Sequence, residues 1–467
     1  MSLKKLSTID TAFLEIESET APMHVGFVVT FSPPAGGERP TFEELRDHVA
    51  ARLAASPRYR QKVIDAPFGA WEPVWIDDPD FDFDRHLCRA SSSDLSEVVD
   101  SLMSTPLDHG RPLWEMRIAE ELDDGRVGLI GKAHHCMVDG LAALELASLL
   151  LDTTDEPEPA EPDRWHPAPP PSRRALRRQA AQELGGRLSG AVRALLGLVR
   201  SPSSALSRLA WVKPVARAVV DFVRPAPRSV LNRPNSGLRH LARTSHPLDA
   251  LLGVKRHFDT SLNDVLLAAT AGALRRYIER QGKRSPALKA IVPVDLRISQ
   301  DVSDLGNEMS FMWVDLPVDE PDPVRRLLSI SRATSERKAG RRAEAIDAVI
   351  GVVGGSPRVV KRAVSHLFAS PRTGNLIVSN LVGPPEPLYL RGCEIEEIYP
   401  ISPLTRRHAV SIGLMSVKGR ACFSVYADRV SLPDADLLAE DLDAAIQELG
   451  DLVPAGDARA AAEPIPA

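Results

Sequence analysis

The chain has 467 residues, more than one hydrophobic core usually serves, so we expect two domains. It is 43% hydrophobic and 26% charged, and 57 basic against 63 acidic side chains give a net charge of -6, which argues against nucleic acid as a partner. The four cysteines form no C-x-x-C pair. This spacing argues against a zinc site, a redox motif or a disulfide framework. It favours a location in the reducing cytosol.

The first part of the chain, residues 1–152, alternates short apolar runs with helical spacing. Residues 24–31 (HVGFVVTF) and 125–133 (GRVGLIGKA) are predicted strands, and residues 41–55 are a predicted helix. Because this alternation is typical of layered α/β folds, we predict an N-terminal α/β subdomain here. Acids from Asp10 onward interrupt any secretion signal, and no apolar run is long enough to span a membrane, so we expect neither.

Residues 153–235 are predicted to connect two subdomains. The stretch 152–172 is rich in proline and acids, which predicts an extended linker. Residues 173–228 then hold twelve arginines or lysines against two acids, with apolar groups at helical spacing. Two interpretations stay open for them: a helical connector with solvated arginines, or an amphipathic surface that meets anionic lipid.

A second α/β subdomain is predicted over residues 236–452. It contains a helix over 261–281 and another over 322–340, with Asp322 as N-cap and Pro323 at the first helical position. Near the end, two apolar runs flank the residues KGR, which predicts a hairpin with Gly419 in its turn. The tail, residues 453–467, is rich in alanine and proline and is predicted to be disordered.

The segment GKAHHCMVDGLAAL, residues 131–144, places two adjacent histidines after an apolar run. Neighbouring side chains diverge on a strand or helix and H-E-x-x-H is absent, so we expect no metal here. A serine nucleophile is unsupported because the chain contains no G-x-S-x-G. Two interpretations remain: a histidine general base, whose ordinary pKa lies near neutrality, or a structural histidine pair in a loop.

This segment resembles the H-H-x-x-x-D-G motif of two groups within the CoA-dependent acyltransferase superfamily. These are the wax ester synthase/diacylglycerol acyltransferases and the condensation domains of peptide synthetases. Other stretches favour the first group: PLW at 112–114, the N-D pair at 263–264, APMHVG at 21–26, VPVDLR at 292–297 and VSNLVGPPEPLYLRG at 378–392. The motif positions, in chain order, are Pro112, Leu113, Trp114, His134, His135, Asp139, Gly140, Asn263 and Asp264.

The resemblance implies two chloramphenicol-acetyltransferase-like subdomains, each a mixed sheet flanked by helices, with the active site in a tunnel at their interface. It implies His135 as general base and His134 as a residue that positions the loop. Asp139 is expected to pair with Arg297, and Gly140 to let the backbone pass closely into the next helix. Asn263 is a candidate oxyanion donor, although it could serve only as a helix cap.

The remaining motif residues have implied roles as well. Pro112, Leu113 and Trp114 are expected to wall an apolar acyl path, although core packing is the alternative, and Asp264 is expected to give structural support together with Arg297. Arg297 could instead be an ordinary surface charge.

The implied activity is transfer of a long-chain acyl group from acyl-CoA to diacylglycerol, and also to long-chain alcohols. Acyl-CoA would be a substrate, and we expect no cofactor and no metal. We expect a cytoplasmic protein with peripheral contact to the inner face of the membrane or to lipid droplets. Two alternatives stay open: a stand-alone condensation-type enzyme that forms an amide or ester, and a non-catalytic protein that binds acyl-CoA or lipid.

Overall fold

The structure is a computed structural model of the chain. It describes residues 4–34, 36–65, 72–138, 146–157, 163–178, 225–284, 287–295, 309–339, 358–383 and 386–454, together with residues 181, 182, 185, 186 and 356.

Within these ranges, the helices of eight or more residues are α1 (Thr8–Ile16), α2 (Phe42–Ala54), α3 (Leu95–Ser104), α4 (Leu248–His257), α5 (Leu262–Arg280), α6 (Pro323–Ala339), α7 (Arg358–Phe368) and α8 (Ala435–Gly450). The strands are β1 (His24–Ser32), β2 (Gln61–Ile64), β3 (Val74–Asp77), β4 (Leu87–Arg89), β5 (Trp114–Ala119), β6 (Val127–His134), β7 (Arg239–Pro247), β8 (Leu288–Asp295), β9 (Met309–Leu316), β10 (Leu376–Val382), β11 (Tyr389–Leu390), β12 (Cys393–Ile401), β13 (Val410–Val417) and β14 (Arg420–Asp428).

The strands form two mixed six-stranded sheets, and β2 and β3 form a separate hairpin. The first sheet has the order β11-β12-β1-β6-β5-β4, in which only the β4–β5 pair is parallel. The second has the order β7-β14-β13-β10-β8-β9, with β10 parallel to both β13 and β8. Mixed sheets with helices between their strands confirm the predicted α/β class.

Two hydrophobic cores hold the molecule together. The second core lies between the second sheet and helices α4, α5, α6 and α8. The first core includes the first sheet, α2 and α3, and it also takes in Met415 and Val417 from β13 of the second sheet. We call each sheet with its packed helices a lobe. The two lobes share buried apolar surface, and this is where a tunnel between them can form.

The first sheet is completed by strands from late in the chain. Strand β12 pairs antiparallel with β1, in a register that sets Gly26 opposite Ile401. Residues 389–401 fall inside the predicted C-terminal subdomain, 236–452, yet they belong to the first sheet. The predicted domain boundaries therefore stay a prediction. The pairing of β11 and β12 with the first sheet shows that one segment of the predicted C-terminal subdomain packs with the N-terminal one.

Local sequence signals agree well with the elements observed. Asp322 accepts hydrogen bonds from the backbone of Val324 and Arg325 at the start of α6, as an N-cap does. Gly419 has a φ of 70° and joins β13 to β14, and left-handed backbone of this kind favours glycine. Most of the predicted tail, 453–467, and most of the basic stretch 173–228 lie outside the described residues.

Candidate active site

The two histidines stand at the end of a central strand of the first sheet. His134 is the last residue of β6 and lies opposite His24 of β1, and His135 begins the turn that follows. The backbone N–H of His135 donates to the carbonyl of Met23 over 2.8 Å, and that of His134 donates to the carbonyl of Leu113 over 2.9 Å. Strands on both sides therefore fix the position of this turn.

The ring of His135 is buried, with 7% of the residue exposed. Phe13 of α1 stacks on it, with ring centroids 3.8 Å apart and planes 10° from parallel. Burial lowers the pKa of His135 to about 4, because an imidazolium loses its hydration in this apolar setting. The imidazole is therefore neutral at physiological pH and available to accept a proton.

His135 lines two apolar cavities and lies at their junction. The first, about 140 Å³, is bounded by the inner face of the first sheet and by β13, and its walls include Phe27, Trp114 and Met415. The second, about 170 Å³, lies beneath α1 and α7. The residues that line both cavities are His135, Pro293, Ser402 and Pro403. A neutral imidazole thus lies where two apolar cavities meet.

His134 points away from these cavities into a polar cluster. Its Nδ1 accepts the backbone N–H of Cys136 over 3.1 Å, so a neutral ring carries its proton on Nε2. That nitrogen lies 3.5 Å from a carboxylate oxygen of Glu17, and the Nε2 of His109 lies 2.9 Å from the same oxygen. Burial acts to raise the pKa of Glu17, but the contacts with His109 and His134 together hold it well below its usual range.

His24 faces the same side of the sheet as His134. It is 1% exposed, and burial, reinforced by nearby Lys132, lowers its pKa to about 2. Neither ring nitrogen of His24 has a hydrogen-bond partner among the residues that the structure describes. His24 is therefore a neutral, buried side chain.

The P-L-W element is buried, but only Trp114 reaches a cavity that His135 lines. The indole Nε1 of Trp114 donates to the carbonyl of Tyr59 over 2.7 Å, and its ring stacks on His86 at 4.7 Å. Leu113 acts through its backbone, since its carbonyl accepts the N–H of His134. Substrate contact by all three residues stays a prediction, with the placement of Trp114 in its favour.

The N-D pair lies at the start of α5, where Asn263 and Asp264 are the second and third helical residues. Asp264 forms a capping box with Ser261, and its carboxylate accepts the hydroxyl of Thr334 over 2.7 Å. These bonds give Asp264 a structural role in joining α5 to α6. Asn263 is half-buried and does not line either cavity at His135.

Asp139, Gly140 and Arg297 lie outside the described residues, so their predicted roles stay predictions. Sequence reasoning missed Phe13, Glu17 and His109, which the structure brings to the histidine turn. No local motif marks the first two, whereas His109 lies in the same loop as the P-L-W element. Among the described residues, no group of three or more His, Cys, Asp or Glu side chains could hold a metal ion.

Comparisons with known proteins match most of the chain. The family model for the wax ester synthase/diacylglycerol acyltransferase catalytic domain matches residues 6–266, and the model for the WS/DGAT C-terminal domain matches residues 305–450. The probable diacylglycerol O-acyltransferase tgs1 of Mycobacterium tuberculosis is 30% identical over 458 residues, which cover 96% of each chain. The probable diacylglycerol O-acyltransferase tgs2 of the same organism is 30% identical over 455 residues, which cover 94% of this chain and 97% of tgs2.

Solved structures give the same result. The wax ester synthase/diacylglycerol acyltransferase of Marinobacter aquaeolei VT8 is 25% identical, with a TM-score of 0.70 and coverage of 97% of this chain and 100% of that one. The first condensation domain of the calcium-dependent antibiotic synthetase aligns with a TM-score of 0.58 over 97% of each chain. At 14% identity, this second likeness shows the fold alone.

Proposed function

Because the chain belongs to the wax ester synthase/diacylglycerol acyltransferase family, we propose that it transfers a long-chain acyl group from acyl-CoA to diacylglycerol or a long-chain alcohol, with His135 as general base. The observation that carries the role of His135 is its position: a buried, neutral imidazole at the junction of two apolar cavities. Each cavity is suited to an alkyl chain, because its walls offer few polar groups.

In the proposed reaction, the acceptor hydroxyl attacks the thioester carbonyl of acyl-CoA while its proton passes to His135. The resulting tetrahedral intermediate collapses, the carbon–sulfur bond breaks, and the imidazolium protonates the departing CoA thiolate. The low pKa of His135 makes an isolated imidazolium costly, but this imidazolium forms beside a new oxyanion, so the two charges stabilise each other. Both substrates are bound together, and their proximity supplies part of the rate.

Two supporting roles remain proposals. Asn263, at the start of α5 and outside both cavities, is the proposed oxyanion donor. The second is a pair between Asp139 and Arg297 that pins the histidine turn from the other lobe. Replacing Arg297 with Ala should then lower both the melting temperature and the rate, and an unchanged melting temperature would contradict the pair.

Replacing His135 with Ala tests the base assignment directly. We expect ester formation to fall on the order of 10²- to 10⁴-fold, while the circular dichroism spectrum stays unchanged. His166→Ala is the matched control, because His166 is an exposed histidine of the connecting segment. A His135→Ala protein that forms ester at near the parental rate would show that another group takes the proton.

Acceptor class is tested by offering long-chain acyl-CoA with diacylglycerol, hexadecanol or a primary alkyl amine. We expect triacylglycerol and wax ester as products. Amide as the main product would favour the condensation-type alternative. Binding of acyl-CoA without any product would favour the non-catalytic alternative.

Peripheral contact with a lipid surface is also part of the proposal. Helix α7 lines the second cavity with Val364 and Phe368, and it exposes Val360 and Leu367 to solvent. The same helix carries the exposed Arg362, which pairs with a carboxylate of α1. No described helix is both long and apolar enough to cross a membrane. We expect the parent protein to sediment with anionic phospholipid vesicles and Leu367→Glu to weaken this binding. Equal sedimentation of the two proteins would show that α7 does not make the contact with the vesicle.

A further inference from the structure

We propose that Glu17 is a positioning residue that holds the histidine turn in its active geometry. The inference rests on the proposed role of His135 as the base. Glu17 lines neither cavity that His135 lines, so we assign it no contact with substrate. It acts through two other residues, Met23 and His134.

The first path runs through the backbone of Met23. One carboxylate oxygen of Glu17 accepts the N–H of Met23 over 3.2 Å, and the carbonyl of Met23 accepts the N–H of His135 over 2.8 Å. Met23 is thus held at both its N–H and its carbonyl group. A shift of Met23 would be passed directly to the backbone of His135.

The second path runs through the ring of His134. Because Nδ1 of His134 accepts the N–H of Cys136, its Nε2 carries a proton that faces the other carboxylate oxygen of Glu17 at 3.5 Å. The same oxygen lies 2.9 Å from Nε2 of His109, which is more exposed than His134. The bond from Cys136 sets the tautomer of His134, and the nearby carboxylate of Glu17 favours this orientation of the ring electrostatically.

A carboxylate suits this position better than an uncharged acceptor. The side chain of Glu17 is 15% exposed, so an ionised group there needs donors to offset its lost hydration. Two donors contact it, the N–H of Met23 and the ring of His109, while Nε2 of His134 lies 3.5 Å away without a hydrogen bond to it. The hydrogen bond with Glu17 in turn raises the pKa of His109, so Glu17 and His109 can form a charged pair on the exposed side of the cluster.

Glu17 also links the turn to the other face of the base. It is the C-cap residue of α1, the helix whose Phe13 stacks on the ring of His135. One short segment therefore supplies the ring contact and the backbone restraint of the same histidine. Loss of the carboxylate is expected to loosen both.

Glu17→Ala and Glu17→Gln test the inference, with Glu19→Gln as control because Glu19 is an exposed acid of the same segment. We expect Glu17→Ala to lower kcat on the order of 10²-fold with KM little changed, since a misplaced base slows the reaction without touching substrate. Glu17→Gln keeps an acceptor for Met23 and should recover part of the rate. Amide hydrogen exchange over residues 131–138 should accelerate in Glu17→Ala.

The result that overturns the inference is a parental kcat in Glu17→Ala when His135→Ala has lost activity. A raised KM with unchanged kcat would also overturn it, because Glu17 would then act on binding. If His135→Ala keeps its activity, the base assignment fails instead. Amide hydrogen exchange alone then tests whether Glu17 restrains the histidine turn. Unchanged exchange over residues 131–138 in Glu17→Ala would then overturn it.

Discussion

Acidification should leave the activity intact well below the pH at which an ordinary histidine base is lost. A histidine with the unperturbed pKa of about 6.5 is roughly 90% protonated at pH 5.5 and cannot accept a proton. Burial against Phe13 lowers the pKa of His135 to about 4, so the ring is only about 3% protonated at pH 5.5. The value of kcat/KM should therefore change little between pH 8 and pH 5.5, where an exposed base would lose about tenfold.

The assay should measure ester product by mass spectrometry, because thiol reagents respond to pH themselves. The pH dependence of kcat/KM reports ionisations of the free enzyme, in which His135 is the proposed base. Circular dichroism at each pH serves as the control for unfolding. A fall in kcat/KM with its midpoint near pH 6.5, while the fold persists, would refute the placement of the base in an apolar setting.

The same electrostatics and packing give three further predictions. At pH values under 6.5, the free energy of unfolding should decrease by about 1.4 kcal/mol per pH unit for each histidine that is protonated only in the unfolded state. Equal denaturation midpoints at pH 6.5 and pH 5.5 would contradict this. Besides His135, the histidines with lowered pKa are His24, His48, His86 and His408. His240 behaves in the opposite way, because hydrogen bonds to Asp100 and Asp436 raise its pKa to about 9. The stabilisation from His240 is complete below pH 6.5 and lost as pH rises through 9, so His240→Gln should lower the melting temperature at pH 6 but not at pH 10. Gly131→Ala should narrow the first cavity, because the new methyl would lie 2.3 Å from Cζ of Phe27 and force that ring to move; a profile of rates against acyl-CoA chain length that matches the parent would exclude this effect.

Much of the local structure could be predicted from the sequence, because it depends on neighbouring residues. A short apolar run predicted β1, and Asp322 followed by proline predicted the start of α6. The doubled histidine was recognisable for the same reason, since motif and turn occupy one short segment. Each of these signals is contained within a few residues of the element that it predicts.

The surroundings of His135 could not be predicted in this way. Phe13 reaches His135, and Glu17 reaches His134, only after α1 folds against the end of β6, and no residue near the motif indicates these contacts. The placement of β12 beside β1 is a pairing between distant parts of the chain, for which alternation of apolar residues gives no partner. Sequence patterns specify elements, whereas these contacts depend on how the elements assemble.

The exchange of β12 into the first sheet has a consequence for how the protein is made. During synthesis, β1 and β6 leave the ribosome long before Ile401, so one edge of β1 lacks its final neighbour until nearly the whole polypeptide has been translated. Unpaired strand edges are templates for aggregation, so a nascent chain halted before residue 393 should need chaperone protection that the full-length product does not. Maturation of the first lobe is thus coupled to completion of translation.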